Sequence, residues 1–167
     1  MRSWLLAAAA AASASHAHAT DVAPDRCIQA AALEHGVDDR MLRAILKVES
    51  GLRPNAVNKN ANGTVDVGIG QINSIHFREF AAYGVQPRHL MDACVGTYAA
   101  AWILRREINR GGNTWAGVAR YHSASAYCNY RYSVLLFNQL VRDGVKPGPQ
   151  EPLPPARPCG RVKVRPK

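Results

Sequence analysis

The length, charge and cysteine content of the chain limit what it can be. Its 167 residues suffice for one globular domain with a true core, and the sequence contains neither an internal repeat nor a second domain. The four cysteines include no Cys-x-x-Cys pair, and His35, His76 and His89 have no metal-ligand spacing, so we expect no metal site and no cofactor. The formal net charge of +9 indicates either an anionic partner or no more than a soluble surface.

The chain opens with the pattern of a cleavable export signal. Arg2 is the positive start, residues 4–12 form a short apolar run, and Ala-His-Ala at residues 17–19 fits a cleavage site. The run is too short to span a bilayer. We therefore expect a signal peptide over residues 1–19, a mature protein that begins at Thr20 in the periplasm, and no transmembrane anchor after cleavage. Retention of the segment as an anchor is the alternative.

Export changes the meaning of both the charge and the cysteines. Outside the cytoplasm the large polyanions are the cell wall and its attached polymers, so the basic surface favours wall affinity and argues against nucleic acid. An even number of cysteines in an exported chain predicts two disulfides, for which three pairings are possible. We favour Cys27 with Cys94, which would join an early helix to the middle of the domain, and Cys128 with Cys159, which would tie back the tail.

The hydrophobic pattern predicts a mostly helical domain with one small β-hairpin. Asn62-Gly63 is a strong signal for a tight turn, and it lies between two very short predicted strands near residues 57–58 and 64–67. Seven of the ten prolines fall between Pro147 and Pro166, so we expect a disordered basic tail at residues 145–167 after a domain of residues 20–144. Helices are predicted over residues 25–35, 38–51, 74–83, 92–110, 114–121 and 127–143.

The helix predicted over residues 38–51 places Glu49 on its apolar face, four residues after Ile45 and three after Leu46. A carboxylate there loses hydration and also meets the negative end of the helix dipole, so both effects raise its pKa. A carboxyl group that stays protonated near neutral pH is what a general acid requires. The other apolar positions of this face are Met41, Leu42, Val48 and Leu52.

A second carboxylate, Asp66, follows 17 residues after Glu49 on the outgoing arm of the predicted hairpin. A hairpin beside the end of the helix would place the two carboxyl groups across a cleft, and paired carboxylates in unlike environments carry out glycoside hydrolysis. An Asp in an Asn-rich loop is, alternatively, a turn-capping residue. In the Gly-rich segment that follows, Gln71 and Asn73 offer amides for sugar hydroxyls; the alternative is a plain turn before a helix.

Three segments occur in an order and spacing that are specific when taken together. They are Glu49-Ser50-Gly51, the sequence Asn-Gly-Thr-Val-Asp-Val-Gly-Ile-Gly-Gln-Ile-Asn at residues 62–73, and Ala-Arg-Tyr-His at residues 119–122. They resemble the lytic transglycosylase (SLT) domain, the goose-type-lysozyme-like group of glycoside hydrolase family 23. The closer likeness is to small exported members of the invasion-protein IagB kind, which accompany secretion, pilus or conjugation machines.

The resemblance implies a lysozyme-like α fold, with a short β-hairpin beside the active-site cleft, that acts on the glycan strands of peptidoglycan. By position, Glu49 resembles the single catalytic acid/base, Ser50 the residue that supports the substrate, and Tyr121 the tyrosine near the acid. Gln71 and Asn73 fall in the motif that lines the sugar cleft. The implied reaction breaks the MurNAc-β-1,4-GlcNAc bond and leaves 1,6-anhydroMurNAc ends.

Two positions depart from the family pattern. Gly70 stands where members commonly carry Met, and His122 stands where they commonly carry Asn. We expect Gly70 to widen the cleft floor. His122 puts in question the polar contact that the usual amide would make, so we leave it out of the catalytic set.

Three functions stay open at this point. A lytic transglycosylase comes first, and a hydrolytic muramidase that uses Asp66 as a second catalytic carboxylate comes second. A non-catalytic wall-binding scaffold of a secretion apparatus is the third, because the basic tail and the two departures would suit it. A nucleic-acid binder ranks below all three.

Overall fold

The computed structural model describes residues 22–157 and Cys159, with side chains from Asp25 onward, so the predicted signal segment lies outside the described residues. These residues form a mostly helical domain with one small antiparallel sheet, as predicted. The helices are α1 (Val22–His35), α2 (Asp39–Ser50), α3 (Phe77–Ala81), α4 (Ala93–Gly111), α5 (Trp115–Ala119) and α6 (Ala126–Arg142), with 3-10 helices at Ser74–His76 and Pro87–Met91. The strands are β1 (Val57–Lys59), β2 (Val65–Val67) and β3 (Ile72–Asn73).

Helix α4 is the centre of the hydrophobic core and contacts α1, α2 and α5. Its small residues 99–101 are buried and allow neighbouring elements to approach closely. On α2, the fully buried side chains Leu42, Ile45 and Leu46 each contribute about 1.5–3 kcal/mol relative to an exposed position. The core therefore fixes the orientation of α2, the helix that carries Glu49.

None of the helices within residues 22–157 combines the length and the apolar character that crossing a bilayer requires.

Local capping explains why the predicted helices begin and end where they do. The side chain of Asp38 accepts a hydrogen bond from Met41 N at 2.9 Å at the start of α2, and Asp92 and Thr114 cap α4 and α5 in the same way. Gly51 ends α2 in the left-handed conformation at φ 63°. The helix predicted over residues 74–83 is instead a 3-10 turn followed by the short α3, and the 3-10 helix at Pro87–Met91 was not predicted.

The small sheet has the strand order β1-β2-β3 and is antiparallel throughout. Asp66 lies at its centre, opposite Asn58 on β1 and opposite Asn73 on β3. The β1–β2 connection is a five-residue loop over residues 60–64, wider than the tight turn that Asn62-Gly63 predicts. Strand β3 was not predicted because two residues are too few to show an alternating pattern.

Two disulfides join distant parts of the chain. Cys27 of α1 is bonded to Cys94 of α4, and Cys128 of α6 is bonded to Cys159, the pairing that the sequence favoured. The first links two helices that also pack against each other in the core. The second returns the end of the described chain to the start of α6.

Residues 150–157, here named the C-terminal strap, lie against α6. Asn138 Nδ2 donates to Glu151 O at 2.8 Å while Glu151 N donates to Asn138 Oδ1 at 2.7 Å, and Tyr127 Oη donates to Pro155 O at 2.7 Å. The Arg157 guanidinium stacks over the Tyr127 ring at 4.4 Å from its centroid. The expectation of a disordered tail therefore does not describe residues 150–157, because hydrogen bonds to α6 fix their path without a core of their own.

Gly68 is required where the chain packs against the 3-10 helix Pro87–Met91, which precedes α4. Its φ is +80°, and an added Cβ would lie 2.0 Å from the carbonyl oxygen of Leu90, a backbone atom that cannot turn aside. We expect Gly68→Ala to lower the free energy of unfolding by about 3 kcal/mol, from left-handed strain and overpacking together. Urea unfolding of the disulfide-bonded protein measures this.

Gly63→Ala is the matched control, since Gly63 has nearly the same φ of +81° but no atom within 4 Å of the added Cβ. It should cost only the left-handed strain, about 1 kcal/mol. Equal costs at the two glycines would contradict the close approach of Leu90.

Candidate active site

Helix α2 ends beside the small sheet and delivers Glu49 to its last turn. The helix stops because Gly51 and then Leu52 adopt left-handed conformations, each at φ 63°. Glu49 is half-buried and lines a cavity of about 150 Å³ between α2 and α6. Its carboxyl group is therefore enclosed by protein on most sides and open toward one small space.

The Glu49 carboxyl has one hydrogen-bond partner among the described residues. Tyr132 Oη of α6 donates to Glu49 Oε1 at 2.5 Å. Burial raises the pKa of Glu49 to about 7, the hydrogen bond from Tyr132 lowers it, and the negative charge of Asp66 raises it. The group is thus close to half-protonated at neutral pH, the condition that general acid and base catalysis both need.

Asp66 lies at the centre of a network of amides. Its Oδ2 accepts from Asn60 Nδ2 at 2.7 Å, and its Oδ1 accepts from Asn73 Nδ2 at 2.5 Å. The carboxylate therefore holds the β1–β2 loop and strand β3 to strand β2. It also lies close enough to Glu49 and Tyr121 to raise the pKa of both.

Tyr121 closes the site from the loop after α5. Its Oη donates to Gly70 O at 2.6 Å. Burial, and then the charges of Glu49 and Asp66, raise its pKa well above the ordinary value, so Tyr121 remains a neutral hydrogen-bond donor. The structure thus brings Glu49, Asp66 and Tyr121 into one electrostatic neighbourhood.

Gly70 does not widen the cleft floor as expected. An added Cβ there would lie 2.7 Å from Ala100 Cβ and 3.0 Å from Tyr121 Oη, so these neighbours already fill the space that a side chain would need. The glycine instead lets α4 and Tyr121 approach the backbone closely. This close packing is the physical reason that a Met would not fit without a shift of α4.

Ser50 is buried, and all of its hydrogen bonds are internal. Its Oγ donates to Ile69 O at 2.7 Å and accepts from Arg53 N at 3.1 Å. These bonds clamp the end of α2 to the Gly-rich segment. Ser50 thus positions Glu49 against the sheet, and its role in supporting substrate stays a prediction.

Gln71 and Asn73 also use their amide donors inside the protein. Gln71 Nε2 donates to Gly68 O at 3.0 Å and Ala56 O at 3.2 Å, from a residue at φ 47°. Asn73 is buried and holds Asp66, with its own Oδ1 accepting from Ile75 N at 3.1 Å. Of the two amides expected to bind sugar, only that of Gln71 leaves an oxygen without a hydrogen bond from the described residues.

His122 stacks on Tyr132, with ring centroids 4.8 Å apart and planes inclined by 11°. Partial desolvation of the imidazole lowers the pKa of His122, the Asp66 charge raises it and the Arg131 charge lowers it. The ring thus covers the tyrosine that bonds Glu49. It supports the site from a position where the family pattern has an amide.

Comparison with known families decides what this arrangement belongs to. A family model for the transglycosylase SLT domain matches residues 26–130, more than half of the 167-residue chain. The chain belongs to the transglycosylase SLT domain family. The matched range contains Glu49, Asp66 and Tyr121, and it ends two residues before Tyr132.

Individual relatives agree with this assignment. "X polypeptide" of Escherichia coli (strain K12) is 34% identical over 124 residues, which are 74% of this chain and 70% of that protein. Invasion protein IagB of Salmonella typhimurium (strain SL1344) is 29% identical over 101 residues, 60% of this chain and 63% of its own. Protein IpgF of Shigella flexneri is 31% identical over 101 residues, which are 60% of this chain and 66% of that protein. The predicted likeness to SLT domains of the IagB kind is confirmed.

Tyr132 is a residue of the candidate active site that the sequence analysis missed. It lies in the buried stripe Cys128, Tyr132, Leu136 and Leu140, where the four-residue spacing indicates the core face of α6. A buried tyrosine hydroxyl requires a partner, and that requirement is the signal that could have singled it out. The identity of the partner, 83 residues away in sequence, becomes evident only from the fold.

A larger apolar groove of about 510 Å³ lies along α4, away from the cavity between α2 and α6. Tyr83, Tyr98 and Trp102 are among the residues that line it. No carboxylate is among the residues that line it. The smaller cavity holds Glu49, so we place the candidate active site there and not in the groove.

The surroundings of Glu49 predict opposite effects of two isosteric variants on its pKa. Tyr132→Phe removes a hydrogen bond that favours the carboxylate, so the pKa of Glu49 should rise above about 7. Asp66→Asn removes a neighbouring negative charge, so the pKa should fall. Carbon-13 titration of the Glu49 carboxyl measures both shifts directly. Shifts of the same sign in the two variants would contradict this electrostatic account.

Proton linkage predicts that Glu49 destabilises the fold at alkaline pH. The pKa of Glu49 rises from the ordinary 4.5 to about 7 on folding. Its contribution to the stability of the folded state is therefore fully present below about pH 4.5 and is lost as the pH increases through about 7. The free energy of unfolding of Glu49→Gln should therefore exceed that of wild type by about 3 kcal/mol at pH 8 and differ little from it at pH 4. Urea unfolding at the two pH values measures this, with Glu34→Gln as the control because Glu34 is exposed. A Glu49→Gln protein no more stable than wild type at pH 8 would refute the linkage.

Proposed function

We propose that the protein is a peptidoglycan lytic transglycosylase that cleaves the MurNAc-β-1,4-GlcNAc bond and leaves 1,6-anhydroMurNAc ends. The observation that carries the proposal is the Glu49 carboxyl, enclosed between α2 and α6, with a pKa raised to about 7 by burial. Membership of the SLT family supports the substrate class. The remaining described residues of the site support or polarise this one acid.

In the proposed first step, protonated Glu49 donates its proton to the glycosidic oxygen as the bond from that oxygen to the muramoyl C1 breaks. Tyr132 bonds Oε1, which leaves Oε2 as the oxygen that carries the transferable proton. The carboxylate formed is stabilised by the same hydrogen bond, because a charged acceptor strengthens it. The cationic character that develops at C1 is favoured by the nearby negative charge of Asp66.

In the second step, the Glu49 carboxylate accepts the proton of the muramoyl 6-hydroxyl. The oxygen of that hydroxyl then forms a bond to C1, which closes the 1,6-anhydro ring and returns Glu49 to its protonated form. No water is consumed. A residue with a pKa near 7 suits both halves of this cycle, since it gives and regains a proton at similar cost.

Hydrolysis by a muramidase is the second candidate, with Asp66 as nucleophile or stabiliser. Both oxygens of Asp66 already accept amide hydrogen bonds from Asn60 and Asn73, which lowers their nucleophilicity and anchors them to the sheet. This favours an electrostatic role for Asp66 over covalent attack. We therefore rank the transglycosylase first.

We place this activity outside the cytoplasm and assign it to local opening of the wall for a secretion, pilus or conjugation apparatus. The export pattern at residues 1–19, two disulfides and the likeness to Invasion protein IagB support this context. We assign the catalytic domain to residues 20–144 and the basic, proline-rich segment to residues 145–167. A non-catalytic scaffold is the weaker candidate, because it gives no reason to bury an acid.

Digestion of purified sacculi tests the proposal. Wild type should release products with anhydro ends, each lighter by one water than a hydrolytic product, and Glu49→Gln should reduce release at least about a hundredfold. Glu34→Gln is the matched control on the exposed face of α1 and should retain the wild-type rate. Mass spectrometry of the end groups separates the candidates.

Each alternative has its own signature in this digestion. If wild type releases products with reducing ends and no anhydro ends, and Glu49→Gln does not release them, the protein is a muramidase and not a transglycosylase. If wild type releases no product at any pH between 5 and 8, the non-catalytic scaffold is the candidate function that remains.

A further inference from the structure

We propose that Arg131 and the C-terminal strap form an anion-binding subsite beside Glu49 that takes a carboxylate of the peptide attached to the muramoyl residue. This inference rests on the proposed function, because it assigns a further part of the same substrate to the same cleft. It concerns the cavity of about 150 Å³ that Glu49 lines. We name it the Arg131 subsite and define it by Arg131, Glu49, His122 and the Cys128–Cys159 disulfide, which all line that cavity.

The strap runs antiparallel to α6 and ends at the cavity. Its contacts advance in opposite directions along the two segments, with Glu151 beside Asn138, Pro154 beside Arg131 and Pro155 beside Tyr127. Cys159, two residues beyond the strap, is bonded to Cys128 and is part of the cavity wall. Cys159 thus supplies one side of a space that is otherwise lined by helix α2, helix α6 and His122, while the strap holds Arg131 at its edge.

Arg131 is oriented by the strap. Its Nε donates to Pro154 O at 3.0 Å, which fixes the plane of the guanidinium group. Within the described part of the chain, neither of its two terminal nitrogens donates a hydrogen bond or lies within ion-pair distance of a carboxylate. A guanidinium held in this way presents a planar pair of N–H groups, the geometry that binds a carboxylate through two parallel hydrogen bonds.

Of the charges around the cavity, that of Arg131 favours an anionic ligand, whereas the Asp66 carboxylate, which raises the pKa of both Glu49 and His122, opposes one. Glu49 stays largely protonated below about pH 7, so it does not neutralise Arg131 when the acid is ready to react. The positive charge of Arg131 also lowers the pKa of His122, which places that charge close to the imidazole on the same cavity. The Arg131 subsite is therefore a positive position beside a neutral acid.

The proposed substrate has one kind of anion that suits this position. Sugar hydroxyls and acetamido groups are neutral, whereas the peptide joined to the muramoyl residue carries free carboxylates close to the scissile bond. A cavity of about 150 Å³ has room for a carboxylate with a few adjoining atoms. Pairing with Arg131 would hold the muramoyl residue with its C1 toward Glu49.

Binding measurements on glycans with and without peptides test the Arg131 subsite. Glu49→Gln protein is the parent, since glutamine imitates the protonated acid and prevents turnover. We expect it to bind peptide-bearing glycan strands more tightly than the same strands stripped of peptide by an amidase. Adding Arg131→Gln should reduce that preference about tenfold, the loss expected for a charge-assisted bidentate contact.

Arg142→Gln is the matched control. Arg142 also lies on α6 and also bonds the strap, through Gln150 at 3.0 Å, but it is roughly 16 Å further along the helix and does not line the cavity. It should leave the preference unchanged. A parent without any preference, or an equal fall in both arginine variants, would overturn the inference.

Two further measurements keep the test decisive. If Arg131→Gln protein unfolds at a lower temperature than the parent, Arg131→Lys, which retains the charge without the planar pair, is used and should show a smaller fall in preference. Product analysis with active protein is done in parallel. Anhydro products that depend on Glu49, together with no peptide preference, would reject the Arg131 subsite alone, whereas absence of those products would reject the proposed function.

Discussion

The hydrogen bond from Tyr132 to Glu49 joins the two helices on which the site is built. It spans α2 and α6, which pack directly against each other, and it is the one protein hydrogen bond that the acid has within the described residues. Burial alone would push the proton affinity of Glu49 higher, while the phenol stabilises the ionised form. The balance leaves an acid that both releases and recovers a proton near neutrality. Displacing either helix would change the distance between Tyr132 and Glu49 and so disturb that balance.

The polar residues of the family motifs mostly build the site and do not face its opening. Ser50 clamps α2 to the Gly-rich segment, and Asn73 holds Asp66 between strands. These bonds satisfy buried groups that would otherwise cost about 1–3 kcal/mol each. The polar residues of such a motif can therefore serve to support the acid as much as to contact sugar.

The sequence predicted what is local and missed what depends on distant partners. The apolar stripe and the caps of α2 are encoded within a dozen residues, so the position of Glu49 on a buried face could be read directly. Tyr132 could not be paired with it, because 83 residues separate the two and only tertiary packing brings them together. Composition also misjudged residues 150–157, since proline-rich chains that cannot form a core can still lie on another element and bond through their carbonyl groups.

The bond between Cys128 and Cys159 makes one wall of the cavity around Glu49 depend on the redox state of its surroundings. Where glutathione and thioredoxin keep thiols reduced, this tie does not form, and the strap has only its hydrogen bonds to α6 to hold it. The pocket around the acid is completed in an oxidising compartment. The wall of this cavity therefore reaches its final form in an oxidising compartment and not in a reducing one where the chain is synthesised.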